Sequence, residues 1–186
     1  MDKHNIPISR YLLRLLSSSH VYLNQKAKKT AKLVVIQENC KIEPYVGIHS
    51  GNVLCSMGSF SYSNGQLDVN FNIGRYCSIA SNVQVHAGNH PYDRVTTSSV
   101  TYDPNLQWIN DAIEDLGNDK EHEFIKGNGD WRSANPMINI GHDVWIGKDV
   151  LLKRGISIGT GVCIAQRSIV THDVPPYSIW GGCLHD

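Results

Sequence analysis

His90 is the residue in this sequence best suited to moving a proton. It lies in the segment Gly88-Asn-His-Pro-Tyr-Asp-Arg-Val-Thr-Thr-Ser-Ser, at the point where an otherwise regular repeat is interrupted. Imidazole, with an unperturbed pKa near ~6.5, can take up a proton and return it at neutral pH. A lone histidine is more often a surface or core residue than a catalyst, so it is the position at the interruption that singles this one out. Asp93, three residues on, could hold the ring in one tautomer as the third member of a triad does, and a backbone carbonyl could do so equally well. Asp93 could also simply cap the loop through its own backbone.

The repeat that must position His90 is clearest between Ile140 and Pro175. Ile140, Ile146, Leu152, Ile158, Ile164 and Val170 recur every six residues, and Val144, Val150, Ile156, Val162, Ser168 and Val174 follow them four places on. A period of six is neither the 3.6 of a helix nor the seven of a coiled coil, and a helix would scatter these aliphatics around its circumference. Six is compatible with strand alternation, and Gly141, Gly147, Gly155, Gly159 and Gly161 punctuate the repeats with turn-permissive residues. The spacing predicts short strands and turns stacked coil upon coil, the pattern of a hexapeptide β-helix.

Upstream, Ile42 and Ile48 lie six apart, and Met57-Gly-Ser-Phe-Ser-Tyr has hexapeptide form. Ser63 to Asp68, containing Asn64-Gly65, reads as a turn or bulging loop that resets the repeat, which Ile73, Ile79 and Val85 resume with Cys77 and Val83 inward. Residues 1–32 are expected to form an N-terminal helical segment, with Ile8, Leu12, Leu15, Leu16, Tyr22 and Leu23 at helical spacing and a lysine-bearing connector from Gln25 to Lys32. The helix would rest either on a membrane surface or, preferably, against the protein's own assembly. Residues 33–186 form the repeat domain, with an excursion over 91–137 that holds Trp108, Trp131 and a polar helical piece around Asp111 to Phe124. So long an excursion from a repeat scaffold suits a lid or binding loop, here the acceptor-side wall, with a packing arm as a compatible alternative.

Bulk properties exclude several classes. At 186 residues the chain suits one domain with a small appendage, and 17 basic against 17 acidic residues, with no basic stripe, recommend no nucleic-acid partner. Five cysteines, an odd number without a C-x-x-C pair, fit a reducing compartment, and Cys77 reads as a small buried hydrophobe. Arg10 and Arg14 interrupt the apolar N-terminus, so neither a signal peptide nor a membrane-spanning segment is expected, and the cytoplasm is the expected location.

The string Ile140-Gly-His-Asp-Val-Trp-Ile-Gly-Lys, followed by Ser168-Ile-Val-Thr-His-Asp-Val-Pro-Pro-Tyr-Ser-Ile-Trp-Gly-Gly, resembles the hexapeptide-repeat acyltransferases, specifically the xenobiotic and polysaccharide O-acetyltransferase branch. The resemblance implies an all-β fold, a left-handed parallel β-helix of triangular section with about three hexads per coil, assembled as a homotrimer with active sites between subunits. It places His90 where the family has its catalytic histidine, and implies acetyl-CoA as the donor without a metal. Trp145, Lys148, Gln166, Thr171 and His172 then fall where the family lines the donor groove, although Trp145 also suits a subunit contact. The loop after His90 looks most like the polysaccharide members, which implies a sugar hydroxyl acceptor. Antibiotic hydroxyls of the streptogramin or chloramphenicol kind and amino-sugar nitrogens are the alternatives.

Three departures from the family pattern carry consequences. Ala165-Gln166-Arg167 replaces the usual Gly-Ala-Gly, so side chains narrow the donor groove or Arg167 meets a phosphate. His172 replaces a usual lysine, and the ending Gly181-Gly-Cys-Leu-His-Asp lacks the family's basic C-terminal helix. These departures leave an inert trimeric scaffold as a rival. The γ-class carbonic anhydrases, which share the scaffold, are a second rival with His49, His86 and His90 as metal ligands, but the His86 to His90 spacing is one short of their pattern.

Overall fold

The computed structural model describes residues 3–24, 33–86, 90–103, 105–115 and 136–182. Two compact units emerge, one of Met1–His86 with Asn135–Asp186 and one of Ala87–Ala134.

The first unit is a parallel β-helix. Its longest ladder runs through Val21–Leu23, Val46–Ile48, Tyr62–Ser63, Ser78–Ile79, Trp145–Ile146, Cys163–Ile164 and Ile179–Trp180. A second joins Ser56–Met57, Phe71–Ile73, Ile138–Ile140 and Ser157–Ile158, and a third joins Gln84–Val85, Leu151–Leu152 and Ile169–Val170. Trp145 aligns with Cys163 and Asn139 with Ser157, eighteen residues apart, so one coil consumes three hexads. All twelve hexad positions named between Ile140 and Val174 are at most 4% exposed. Each aliphatic among them contributes roughly 1.5–3 kcal/mol by leaving water.

The register breaks upstream have a simple cause. Gly47 aligns with Tyr62 and Tyr62 with Ser78, so these coils are fifteen and sixteen residues long and turn their corners with fewer residues. The expected loop at Ser63 to Asp68 needs correction at both ends. Ser63 is a rung residue, wholly buried between Ile48 and Ile79, and Leu67 joins the core. A serine is tolerated inside because its hydroxyl closes on Gly65, donating to the carbonyl at 2.9 Å and accepting the N–H at 3.2 Å. Ser61 is satisfied similarly by the Gly74 carbonyl and the Cys77 N–H. Cys77 is fully buried, and desolvation raises the pKa of its thiol.

The N-terminal segment is only partly helical. Ser9 accepts the Leu12 N–H at 3.1 Å and starts α1, Arg10–Ser18, whose Leu12 joins the β-helix core with Leu16 packed beside it. The helical spacing had included Tyr22 and Leu23, but Val21–Leu23 is a strand and supplies the first rung of the long ladder. Lys3–Pro7, expected within the helical segment, is instead a strand whose residues are all exposed and which pairs antiparallel with Leu33–Gln37. The connector at 25–30 and residues 31 and 32 lie outside the described residues.

In the second unit, Ser98 caps a 3-10 turn, Ser99–Thr101, and α2 spans Gln107–Asp115. The expected helix at Asp111 to Phe124 therefore begins earlier, and residues 116–135, Trp131 included, lie outside the described residues. Tyr102 and Ile109 are buried.

Candidate active site

His90 belongs to the second unit, and its ring is held from one side. Nδ1 lies 2.9 Å from the Thr97 carbonyl oxygen and 2.6 Å from the Tyr102 hydroxyl. A carbonyl can only accept, so the Thr97 contact requires the proton on Nδ1 and leaves the Nε2 lone pair as the basic one. Nε2 makes no hydrogen bond among the described residues, and the residue is exposed. An imidazole so placed can accept a proton from a hydroxyl and pass it on. Asp93 is exposed and is not among the ring's hydrogen-bond partners. Of the orienting groups weighed from sequence, it is a backbone carbonyl that meets Nδ1.

The residues expected at the donor groove belong to the first unit and cluster on its last coils. Trp145 is 56% exposed on the outer side of the long ladder, between Ser78 and Cys163. Lys148 and Gln166 are exposed on successive coils, where the Arg167 N–H donates to the Lys148 carbonyl at 2.8 Å. The coils approach so closely here that a Cβ on Gly147 would lie 2.5 Å from the Gln166 nitrogen. Arg167 reaches Asp149 only at 3.9 Å with an exposed guanidinium, while Asp149 accepts from Asn82 at 2.8 Å. Thr171 Oγ1 and His172 Nδ1 lie 2.8 Å apart.

Two open grooves of about 730 and 560 Å³ mark the first unit's surface, the larger bounded by Lys41, Glu43, Arg75 and His142. Neither is lined by the expected donor residues. His49 lies 2.9 Å from Asn64 Oδ1 and stacks on Tyr62. Among the described residues, no group of three His, Cys, Asp or Glu is placed to hold a metal ion.

The chain is 36% identical over 116 residues to a chloramphenicol acetyltransferase of Klebsiella aerogenes, a match covering 59% of this chain and 46% of that protein. Among solved structures, a maltose O-acetyltransferase from Clostridium difficile 630 superposes over 92% of this chain and 80% of that one, with TM-score 0.50 and 21% identity. The chain is similar in sequence to acetyltransferases and shares the fold of a hexapeptide-repeat acetyltransferase. Its β-helix is accordingly left-handed. A third similarity, to the galactoside O-acetyltransferase of Escherichia coli strain K12, reaches 28% identity over 151 residues, 79% of this chain and 59% of that protein. The chain spans about half the length of the curated relatives it matches. No family model matches it.

Within this hexapeptide-repeat framework the Ala165-Gln166-Arg167 departure acquires a backbone meaning. Arg167 has φ +62°, a left-handed corner that glycine fills without strain and a β-carbon fills at a cost of roughly 1 kcal/mol. The sequence offered a backbone carbonyl at the His90 ring without saying which, and Tyr102 went unread. A carbonyl such as that of Thr97 carries no residue signature, and Tyr102, twelve positions from His90, obeys no spacing rule.

Proposed function

We propose that the chain transfers the acetyl group of acetyl-CoA to an acceptor hydroxyl, with His90 as general base. His90 Nε2 takes the hydroxyl proton as the oxygen attacks the thioester carbonyl. The tetrahedral intermediate expels the CoA sulfur as the C–S bond breaks, and the imidazolium returns its proton to the departing thiolate. The observation that carries this reading is the ring's geometry, with Nδ1–H held by the Thr97 carbonyl and Nε2 left basic. The name of the chloramphenicol acetyltransferase it is similar to supports acetyl transfer, and that of the galactoside O-acetyltransferase supports transfer to oxygen.

Trp145, Lys148, Gln166, Arg167, Thr171 and His172 form the donor side, with the exposed guanidinium of Arg167 meeting a phosphate of the donor. The protein works as a cytoplasmic homotrimer with sites between subunits, and Asp93 supports the His90 loop. No described helix is long and apolar enough to cross a membrane.

A sugar hydroxyl of a surface polysaccharide or its precursor is the proposed acceptor, supported by the Asp93-Arg-Val-Thr-Thr-Ser loop and by the galactoside relative. The 36% identity to the chloramphenicol acetyltransferase favours an antibiotic hydroxyl as the second reading. Release of free CoA thiol from acetyl-CoA, measured across a panel of glycosides and of chloramphenicol-type alcohols, separates them. The proposal expects acceptor-dependent thiol release with at least one glycoside. Release with chloramphenicol alone would favour the second reading, and none with any acceptor would favour an inert scaffold.

A further inference from the structure

We infer that Tyr102 is a positioning residue that shares the Nδ1 proton of His90 with the Thr97 carbonyl and so fixes Nε2 as the basic nitrogen. The inference rests on the proposal that His90 is the base. Two oxygens face the same ring nitrogen, at 2.9 Å from Thr97 and 2.6 Å from Tyr102. If the phenol donated to a bare Nδ1, the Thr97 carbonyl would confront a lone pair at hydrogen-bond distance. With the proton on Nδ1, both oxygens accept it in a three-centre bond. When His90 takes a proton at Nε2, the positive ring leans more strongly on both acceptors, so the arrangement favours the charged state that the reaction passes through.

The hydroxyl is held where it can do this. Tyr102 is only 8% exposed and its ring meets the imidazole edge-on, with centroids 6.1 Å apart. The Ser98-capped turn Ser99–Thr101 leads directly into it, and Tyr102 N–H donates back to the Ser99 carbonyl at 3.1 Å. Arg94 lies 5.8 Å over the ring and donates to the Thr101 carbonyl, bracing the same residue from the other side. An exposed imidazole is thereby tied to a buried anchor, which a loop carbonyl alone would not provide.

Tyr102→Phe keeps the ring and its packing and removes only the oxygen. With the acceptor found in the glycoside or alcohol panel, kcat is expected to fall about 10-fold while KM for both substrates stays within about twofold. Histidine labelled with 15N reads the tautomer without any acceptor. The His90 ring of the unsubstituted protein is expected to carry its neutral-state proton on Nδ1, and that of Tyr102→Phe to populate the Nε2–H form as well. A proton on Nε2 in the unsubstituted protein, or unchanged kcat and an unchanged tautomer in Tyr102→Phe, overturns the inference. His90→Ala separates the two claims: if it keeps full activity the base proposal fails, whereas an inactive His90→Ala beside a fully active Tyr102→Phe sinks the positioning role alone.

Discussion

His90 stands out as a candidate base from its place at the break in the repeat, but the particular groups that hold it were not legible, because hydrogen bonds to Nδ1 come from a main-chain carbonyl and from a tyrosine across a turn. Away from the site, one ion pair has a measurable signature. Arg75 donates to both oxygens of Glu43, at 2.7 and 2.8 Å, and the Ser59 N–H adds a third bond at 2.8 Å. The guanidinium foremost, with that N–H, holds the Glu43 carboxyl down from 4.5 to about 2. Because the folded value is the lower one, the pair stabilises above the ordinary carboxylate range, and that contribution is lost as pH falls toward the folded value. The thermal midpoint should therefore drop more steeply between about pH 4.5 and 2 in the unsubstituted protein than in Glu43→Gln. Added salt should shrink the difference, since the pair faces solvent. Identical pH slopes for the two proteins would contradict this assignment.

At the scale of elements, the hexad positions were readable wherever the coil is eighteen residues long, since an aliphatic every six residues then faces one core. The shorter coils at Gly47–Tyr62 and Tyr62–Ser78 hid their rungs, because a serine can sit inward once its hydroxyl bonds a nearby backbone group. Val21–Leu23 read as helix because the short run from Ile8 places apolar residues compatibly with either period, and the ladder beside Val46–Ile48 decided in favour of strand. Stacking also sets a tolerance that can be tested. Ile164 is fully buried, so Ile164→Ala should cost about 2–5 kcal/mol in denaturant unfolding. Gly147→Ala, despite adding only a methyl, should cost about 1–3 kcal/mol, because its Cβ would meet the next coil's backbone at 2.5 Å. A neutral Gly147→Ala would mean the coils are not packed as described.

In the whole molecule, the first unit is a stack of parallel coils that carries the residues expected at the donor groove, and the second carries His90 with its Thr97 and Tyr102 partners. The outer side of the long ladder exposes Trp145 and Ile179, apolar surface of the kind that subunit contacts cover. Light scattering should accordingly give three times the chain mass, and a monomer at micromolar concentration would contradict the proposed trimer. The acceptor's identity was not legible, because a general base accepts a proton from a sugar or an antibiotic hydroxyl alike. Acetyl-CoA turnover by His90→Ala, measured as thiol release with the best acceptor after confirming that CoA still binds, tests the imidazole's role most directly. A loss of about 10²–10⁴-fold in kcat is expected for removal of a general base. Turnover within a few-fold of the unsubstituted protein would show that the reaction does not run through this imidazole.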